Sequence, residues 1–173
     1  MADSIPTLEE FKEYLSYDPE TGLFTWIQDP RNGRTKIGDI AGSDNGKGYI
    51  IIRFKQKRYR AHRLAWFFEK GYWPTDLIDH KNKKKNDNRF ENLRESNNSQ
   101  NMMNMKKGKL KNASSKYKGV HWNKRNKKWQ VFIGIKGKRV HLGYFINEEK
   151  AAREYDQSAI KHFGEFAQLN FST

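Results

Sequence analysis

Residues 105–116 read Met-Lys-Lys-Gly-Lys-Leu-Lys-Asn-Ala-Ser-Ser-Lys, a stretch with almost no apolar content and no hydrophobic period. Such a tract has no face to bury, and its like charges keep it extended. Patterned sequence lies on both sides of it. A chain of 173 residues holds one domain or two small ones, each with a modest core. The tract predicts a basic linker over 106–116. It divides an N-terminal α/β segment (1–60) and a polar centre (61–105) from a C-terminal module (117–173). Tracking a phosphate backbone and acting as a plain solvated tether explain its composition about equally.

Positive charge is graded along the chain: formal net charge is −4 over residues 1–48, +7 over 49–104 and +11 over 105–173, for +14 in all. The gradient suits a polyanion laid along part of the surface. Nucleic acid leads, because each neutralised phosphate releases counterions. An anionic membrane fits less well, since no basic helix carries a broad apolar face. No run approaches the roughly 18 apolar residues of a membrane span. The opening Met-Ala-Asp-Ser-Ile-Pro lacks the basic and apolar regions of a secretory signal, so a cytoplasmic location is expected. The chain has no cysteine, which excludes disulfides, cysteine-based zinc sites and a thiol nucleophile. With 35% hydrophobic and 14% aromatic residues it is too polar for a membrane protein and too aromatic for a disordered one.

The N-terminal segment begins with a short helix. Thr7 and Glu10 form a capping-box pattern, and Leu8, Phe11 and Leu15 fall on one face. Asp18 to Gly22 is turn chemistry, followed by a strand over 23–27. Residues 28–48 contain five glycines and few apolar anchors, which predicts loops with short strands. Tyr49 to Phe54 and Lys57 to Ala61 read as a hairpin. His62 to Lys70 reads as a helix packed through Leu64, Ala65, Phe67 and Phe68 and stopped by Gly71.

In the centre, Leu77 and Ile78 read as the end of a buried strand that delivers Asp79 and His80 to its tip. Lys81 to Asn88 is a polar, hairpin-like excursion. Ser96 is the expected N-cap of a helix on which Asn97, Asn101 and Asn104 share a face by i, i+4, i+7 spacing. A carboxylate and an amide oxygen are hard donors suited to Mg²⁺, and a neutral His beside them can take a proton from water near pH 7. By spacing alone, a surface Asp-His pair and Asn-rich turns explain the same residues.

The C-terminal module has strand patterns at 117–122, 128–135 and 139–145, with a tight turn over Lys136 to Lys138. Asn147 is the expected cap of a helix with Glu148 and Glu149 in its first turn. Ala151, Ala152, Tyr155, Ala159 and Ile160 form its apolar face, and Gly164 ends it. Three antiparallel strands and a packed helix make a small α+β module.

The run from His62-Arg63-Leu64 through Ile78-Asp79-His80-Lys81 and Asp87-Asn88-Arg89-Phe90-Glu91-Asn92-Leu93-Arg94 to Asn101 and Asn104 resembles the HNH endonuclease family. More narrowly, it is similar to the zinc-free, phage-type homing branch. The resemblance implies a ββα-metal (His-Me finger) core holding one divalent ion, Mg²⁺ or Mn²⁺, with no structural zinc. It implies His80 as general base, Asp79 and Asn101 as metal ligands, and Asn92 as the brace of the hairpin loop that orients His80. Asn97 and Asn104 would support the ligands. Asn101 stands where many members have His, which gives the ion fewer strong donors. Arg94 is expected to contact phosphate or brace the site, and Lys83 to Lys85 either touch phosphate or form a solvated tip. His62 is expected to be structural, and residues 1–60 to support the nuclease.

Tyr117-Lys118-Gly119-Val120, Trp129, Arg139 to Phe145, Glu149 to Asp156 and Leu169-Asn170-Phe171 resemble the Apetala/ethylene-response-factor DNA-binding domain. That resemblance implies a three-stranded sheet lying in the DNA major groove with a helix behind it. The groove-facing candidates are Lys118, His121, Asn123, Arg125, Arg139 and His141. Phe132 and Gly134 stand where Glu and Arg are usual, so the plant target sequence does not transfer. Trp122 fits either a groove contact or the core. Trp129, Phe132, Tyr144 and Phe145 are expected in the core.

Together these readings predict an α+β chain in which a site-directed, metal-dependent DNA endonuclease is tethered to a DNA reader. Double-stranded DNA is the expected partner, with no membrane and no small-molecule cofactor, and the chain acts as a monomer or weak dimer. One site per chain makes nicking the default. The expected setting is a phage or mobile-element homing enzyme in a bacterial cytoplasm. The alternative is a non-catalytic DNA-binding regulator on a nuclease scaffold.

Overall fold

The computed structural model describes residues 5–30, 35–104 and 113–171, without the side chains of Ser99 and Met102. Most of the expected linker, 106–112, lies outside the described residues. The chain divides into two compact units, Met1–Ser96 and Asn97–Thr173. Among the described residues, no helix is long and apolar enough to cross a membrane.

The first unit opens with α1 (Leu8–Tyr14), whose capping box closes in both directions: Thr7 Oγ1 accepts from Glu10 N–H, and Glu10 accepts from Thr7 N–H at 2.8 Å. Leu15 leaves the helix rather than extending it. It starts β1 (Leu15–Asp18), which pairs antiparallel with β2 (Leu23–Trp26) across the Asp18–Gly22 turn. Next come β3 (Ser43–Asp44), β4 (Ile50–Phe54) and β5 (Lys57–Arg60), an antiparallel sheet in the order β3-β4-β5. Helix α2 (Ala61–Lys70) follows without a break and ends at Gly71 in the left-handed conformation. The unit closes with β6 (Leu77–His80) and β7 (Leu93–Ser96), an antiparallel pair.

One core serves all of these elements except β3, whose two residues are exposed. Phe11, Leu15, Phe24, Trp26, Ile52 and Leu64 are buried together, and Ile78 and Leu93 bring the β6–β7 pair into the same cluster. Phe11 lies at its centre, 4.9 Å from Phe54 and 5.0 Å from Tyr59, ring centre to ring centre. Burying an aromatic side chain of this size contributes about 2–3 kcal/mol. The N-terminal segment therefore supports the β6–β7 pair directly.

The second unit begins with α3 (Asn98–Asn104). Its cap differs from expectation. Ser96 ends β7, while Asn97 Oδ1 accepts from Gln100 N–H at 2.9 Å and Gln100 Oε1 accepts from Asn97 N–H at 2.8 Å. Ser96 is taken by the strand, so the next residue becomes the cap, and Gln three positions on completes a reciprocal box. Helix α3 groups with the C-terminal module because it packs against the Gly164–Phe166 turn and its Met103 carbonyl accepts from Lys118 Nζ at 2.9 Å. The unit division thus falls before the helix that a ββα arrangement assigns to the nuclease core.

Strands β8 (Val120–Asn123), β9 (Lys128–Ile135) and β10 (Lys138–Phe145) form an antiparallel sheet in the order β10-β9-β8. Helix α4 (Glu148–Phe163) is capped by Asn147 and packs on one face of that sheet. Val120, Val131 and Ile133 meet Ala151, Ala152, Tyr155 and Ala159 there. Ile160, expected on the apolar face, is 53% exposed. Gly119 makes this close packing possible: with φ +79°, an added Cβ would come within 2.1 Å of the Tyr155 ring.

Candidate active site and nucleic-acid interface

Burial of Ile78 fixes β6 and carries Asp79 and His80 into the interior, where they are 9% and 4% exposed. In the register, Asp79 stands opposite Arg94 and His80 opposite Leu93. Arg94 Nη2 and Nε donate to Asp79 Oδ2 at 3.0 and 3.2 Å. Both side chains are about nine-tenths buried, so each compensates a charge the other could not carry alone. Of the two roles expected for Arg94, the geometry is that of a brace. Its guanidinium is not presented at the surface as a phosphate contact would be.

The loop from Lys81 to Asn92 is closed by Asn92. Its Oδ1 accepts from Asn82 N–H at 3.0 Å and its Nδ2 donates to the Asp87 carbonyl at 2.8 Å. Arg89 makes a bidentate pair with Asp87, 2.9 Å to Oδ1 and 2.8 Å to Oδ2, and this pair holds the Asp87 carboxyl well below the usual carboxylate range. These bonds bring Asn88 beneath β6. Asn88 is 3% exposed, and its Oδ1 lies 3.3 Å from His80 Nε2. The N-terminal hairpin presses on the same backbone: Tyr17 donates its hydroxyl to the Asn88 carbonyl at 2.7 Å. At Gly22, φ +74°, a Cβ would fall 2.3 Å from Arg89 N.

Asn88 is the site residue that sequence reasoning missed as an individual. It sits in an Asn-rich run, where polarity reads as turn. The available signal was its position inside the Asp87-Asn88-Arg89 motif.

Burial pushes the His80 pKa below the ordinary histidine range, against the raising effects of the Asn88 hydrogen bond and the Asp79 and Asp87 charges. His62, on α2, stacks edge-on against His80 with ring centres 4.9 Å apart and is itself 3% exposed. Burial and the neighbouring His80, Arg60 and Arg63 lower the His62 pKa to about 3, so it stays neutral. Tyr49 flanks both imidazoles, 5.4 Å from His62 and 6.2 Å from His80. Lys85 Nζ lies 4.8 Å from the Tyr49 ring centre, which brings one lysine of the Lys83–Lys85 run to the site.

Asp79 offers the hard oxygen that Mg²⁺ takes, although Arg94 engages one of its two oxygens. Among the described residues there is no group of three or more His, Cys, Asp and Glu placed to hold a metal. A protein shell of one carboxylate and one amide oxygen fits an ion that keeps most of its water and phosphate ligands. It does not fit one that needs four protein donors. Asn101, the expected amide donor, is a half-buried residue of α3, in the second unit. Asn104, on the same helix, is buried.

In the second unit, α4 covers one sheet face and leaves the other open. Register places His121, Gln130, Phe132, His141 and Tyr144 on the open face: His121 pairs with Gln130, Phe132 with His141 and Tyr144 with Gln130. Arg139 and His141 are exposed there. Asn123 lies at the end of β8, and its amide is committed to the turn: Oδ1 accepts from Asn126 N–H and Nδ2 donates to Gln130 Oε1 at 3.0 Å. Arg125 is exposed in that turn.

Two expectations change, and the open one, for Trp122, is decided. Lys118 donates to the Met103 carbonyl and so ties β8 to α3, because its position precedes the strand. Phe132 and Tyr144 are not core residues. Phe132 is half-buried on the open face, and Tyr144 is 46% exposed. Trp122 packs edge-on against Trp129, ring centres 5.0 Å apart, at the rim of the helix-covered face.

Residues 59–103 match the HNH endonuclease family. This stretch contains β6, the Asn92-braced loop and Asn101, so the match falls on the candidate active site. The other matches cover part of the chain only. APETALA2-like protein 2 of Oryza sativa subsp. indica is 42% identical over 62 residues, covering 36% of this chain and 14% of the rice protein. The AP2-like ethylene-responsive transcription factor TOE2 of Arabidopsis thaliana is 41% identical over 61 residues, covering 35% of this chain and 13% of its own length. The chain therefore carries one stretch similar to HNH endonucleases and another similar to AP2-like proteins, and it spans about a seventh of the plant relatives it matches.

Proposed function

We propose that the protein is a site-directed, divalent-metal DNA endonuclease that hydrolyses phosphodiester bonds, with His80 as general base. The observation that carries this reading is the His80–Asn88 contact inside the stretch that matches HNH endonucleases. Asn88 Nδ2 donates to the Asn86 carbonyl at 3.4 Å, which turns Oδ1 toward the imidazole. An acceptor at Nε2 favours the proton there and leaves the basic lone pair on Nδ1. His80 takes the proton of a water as its oxygen bonds to phosphorus and the bond to the 3′ oxygen breaks. Asn92 holds the loop that keeps Asn88 under the ring. Arg94 holds Asp79 in place.

Asp79 would hold the Mg²⁺ or Mn²⁺ through its carboxylate, with water and phosphate completing most of the ion's shell. The chemistry such an ion supplies when bound is stabilisation of negative charge on the phosphate and the departing oxygen. The second unit would deliver the duplex through its open sheet face and its exposed cations. One site per chain would cut one strand at a time. The setting in this reading is a phage or mobile-element homing enzyme in a bacterial cytoplasm.

A second reading, a non-catalytic DNA-binding regulator, draws on the transcription-factor name of an AP2-like relative and on the internal neutralisation of Asp79 by Arg94. Incubating the full chain with supercoiled plasmid in Mg²⁺ and in EDTA separates the two. Metal-dependent relaxed circles support the nuclease. Binding without any cleavage supports the regulator.

A further inference from the structure

The open sheet face holds a contact that attraction to phosphate does not require. The Arg139 guanidinium carbon lies 3.7 Å from the centre of the Phe132 ring. In the register Arg139 stands opposite Gly134, and a Cβ added at Gly134 would meet nothing within 4 Å. The missing side chain at 134 leaves the guanidinium a clear path to the neighbouring ring. His141 adjoins Phe132 at 4.9 Å and Tyr144 adjoins His141 at 4.7 Å, so an apolar strip runs beside the cation.

We propose that Arg139, held on Phe132, reads a guanine that follows a 5-methylated pyrimidine, which in ordinary DNA is thymine. The inference rests on the reading of this unit as a duplex reader and names what it selects. Ring contact restricts the guanidinium's rotation and leaves its in-plane donors for guanine O6 and N7, the commonest specific contact in the major groove. The thymine methyl is the apolar group the major groove presents, and Phe132 is the apolar surface beside the donors. A charged pair at 132 and 134 would offer no such surface. The guanidinium positions on the guanine, and the ring discriminates the methyl.

The test selects duplexes from a random pool with the full chain in EDTA, then replaces each thymine of the selected site by uracil, which removes only the methyl. A thymine–guanine step in the selected site is expected. Uracil at that thymine should weaken binding about fourfold, the ratio one buried methyl group gives. Phe132→Leu should reduce that ratio, and Gly134→Arg, built into open space, should abolish it by crowding Arg139 off the ring. Equal binding of uracil and thymine at every position overturns the inference while leaving duplex reading intact. So does a selected site without a guanine after a pyrimidine. Failure to retain any duplex removes the duplex reading itself.

Discussion

Asn88 Oδ1 lies 3.3 Å from His80 Nε2, and both residues are more than nine-tenths buried. The pair joins two parts of the first unit. Tyr17 and Gly22 of the N-terminal hairpin fix the Asn88 backbone, and the Asn88 side chain in turn orients the imidazole. Residues far from the site in sequence therefore act on its geometry.

Asn88→Ala should lower kcat of DNA cleavage by about 10–100-fold, the usual cost of removing a partner that orients a catalytic group. DNA affinity should stay within about twofold. Asn88→Asp should raise the His80 pKa and move the acid limb of the cleavage profile to higher pH. Single-turnover cleavage against pH measures both effects.

Acid should destabilise the first unit through His62. Its folded pKa of about 3 lies below its ordinary value of 6.5. Above pH 6.5 both folded and unfolded states hold it neutral. As pH falls, the unfolded chain gains a proton that the folded chain refuses, so stability declines until pH reaches the folded value. The full effect is on the order of 5 kcal/mol. His62→Phe should flatten the loss between pH 7 and pH 4 in urea melts. An unchanged slope would remove His62 from this account.

Arg94→Ala should cost about 3–5 kcal/mol, because it removes the guanidinium that faces the buried Asp79 carboxylate. Arg94→Lys should recover part of that, and denaturant titration measures the difference.

Gly119→Ala should destabilise the second unit by more than about 1 kcal/mol, since φ is +79° and the Tyr155 ring occupies the Cβ position. Duplex binding should fall with the fraction folded.

Much of this was readable in the chain. The Thr7–Glu10 box, strand β9 at 128–135 and the delivery of Asp79 and His80 by a buried strand follow from local pattern. What escaped has physical causes. Strand β1 was hidden because Leu15 continues the helical spacing of Leu8 and Phe11. Alternation puts His141 and Tyr144 on opposite faces, but a bulge between His141 and Gly143 brings them to one. A single bulge reverses every later side chain on its strand, and nothing in the residue pattern announces it. Asn88 acts through a tertiary contact that turn-like composition conceals.

The most direct test of the central claim is His80→Ala in the full chain, with cleavage and duplex affinity measured on the same preparation. The role of His80 as general base predicts a fall of about 10²–10⁴ in single-turnover cleavage, unchanged duplex Kd, and partial rescue by added imidazole. Cleavage at the wild-type rate in His80→Ala would contradict it.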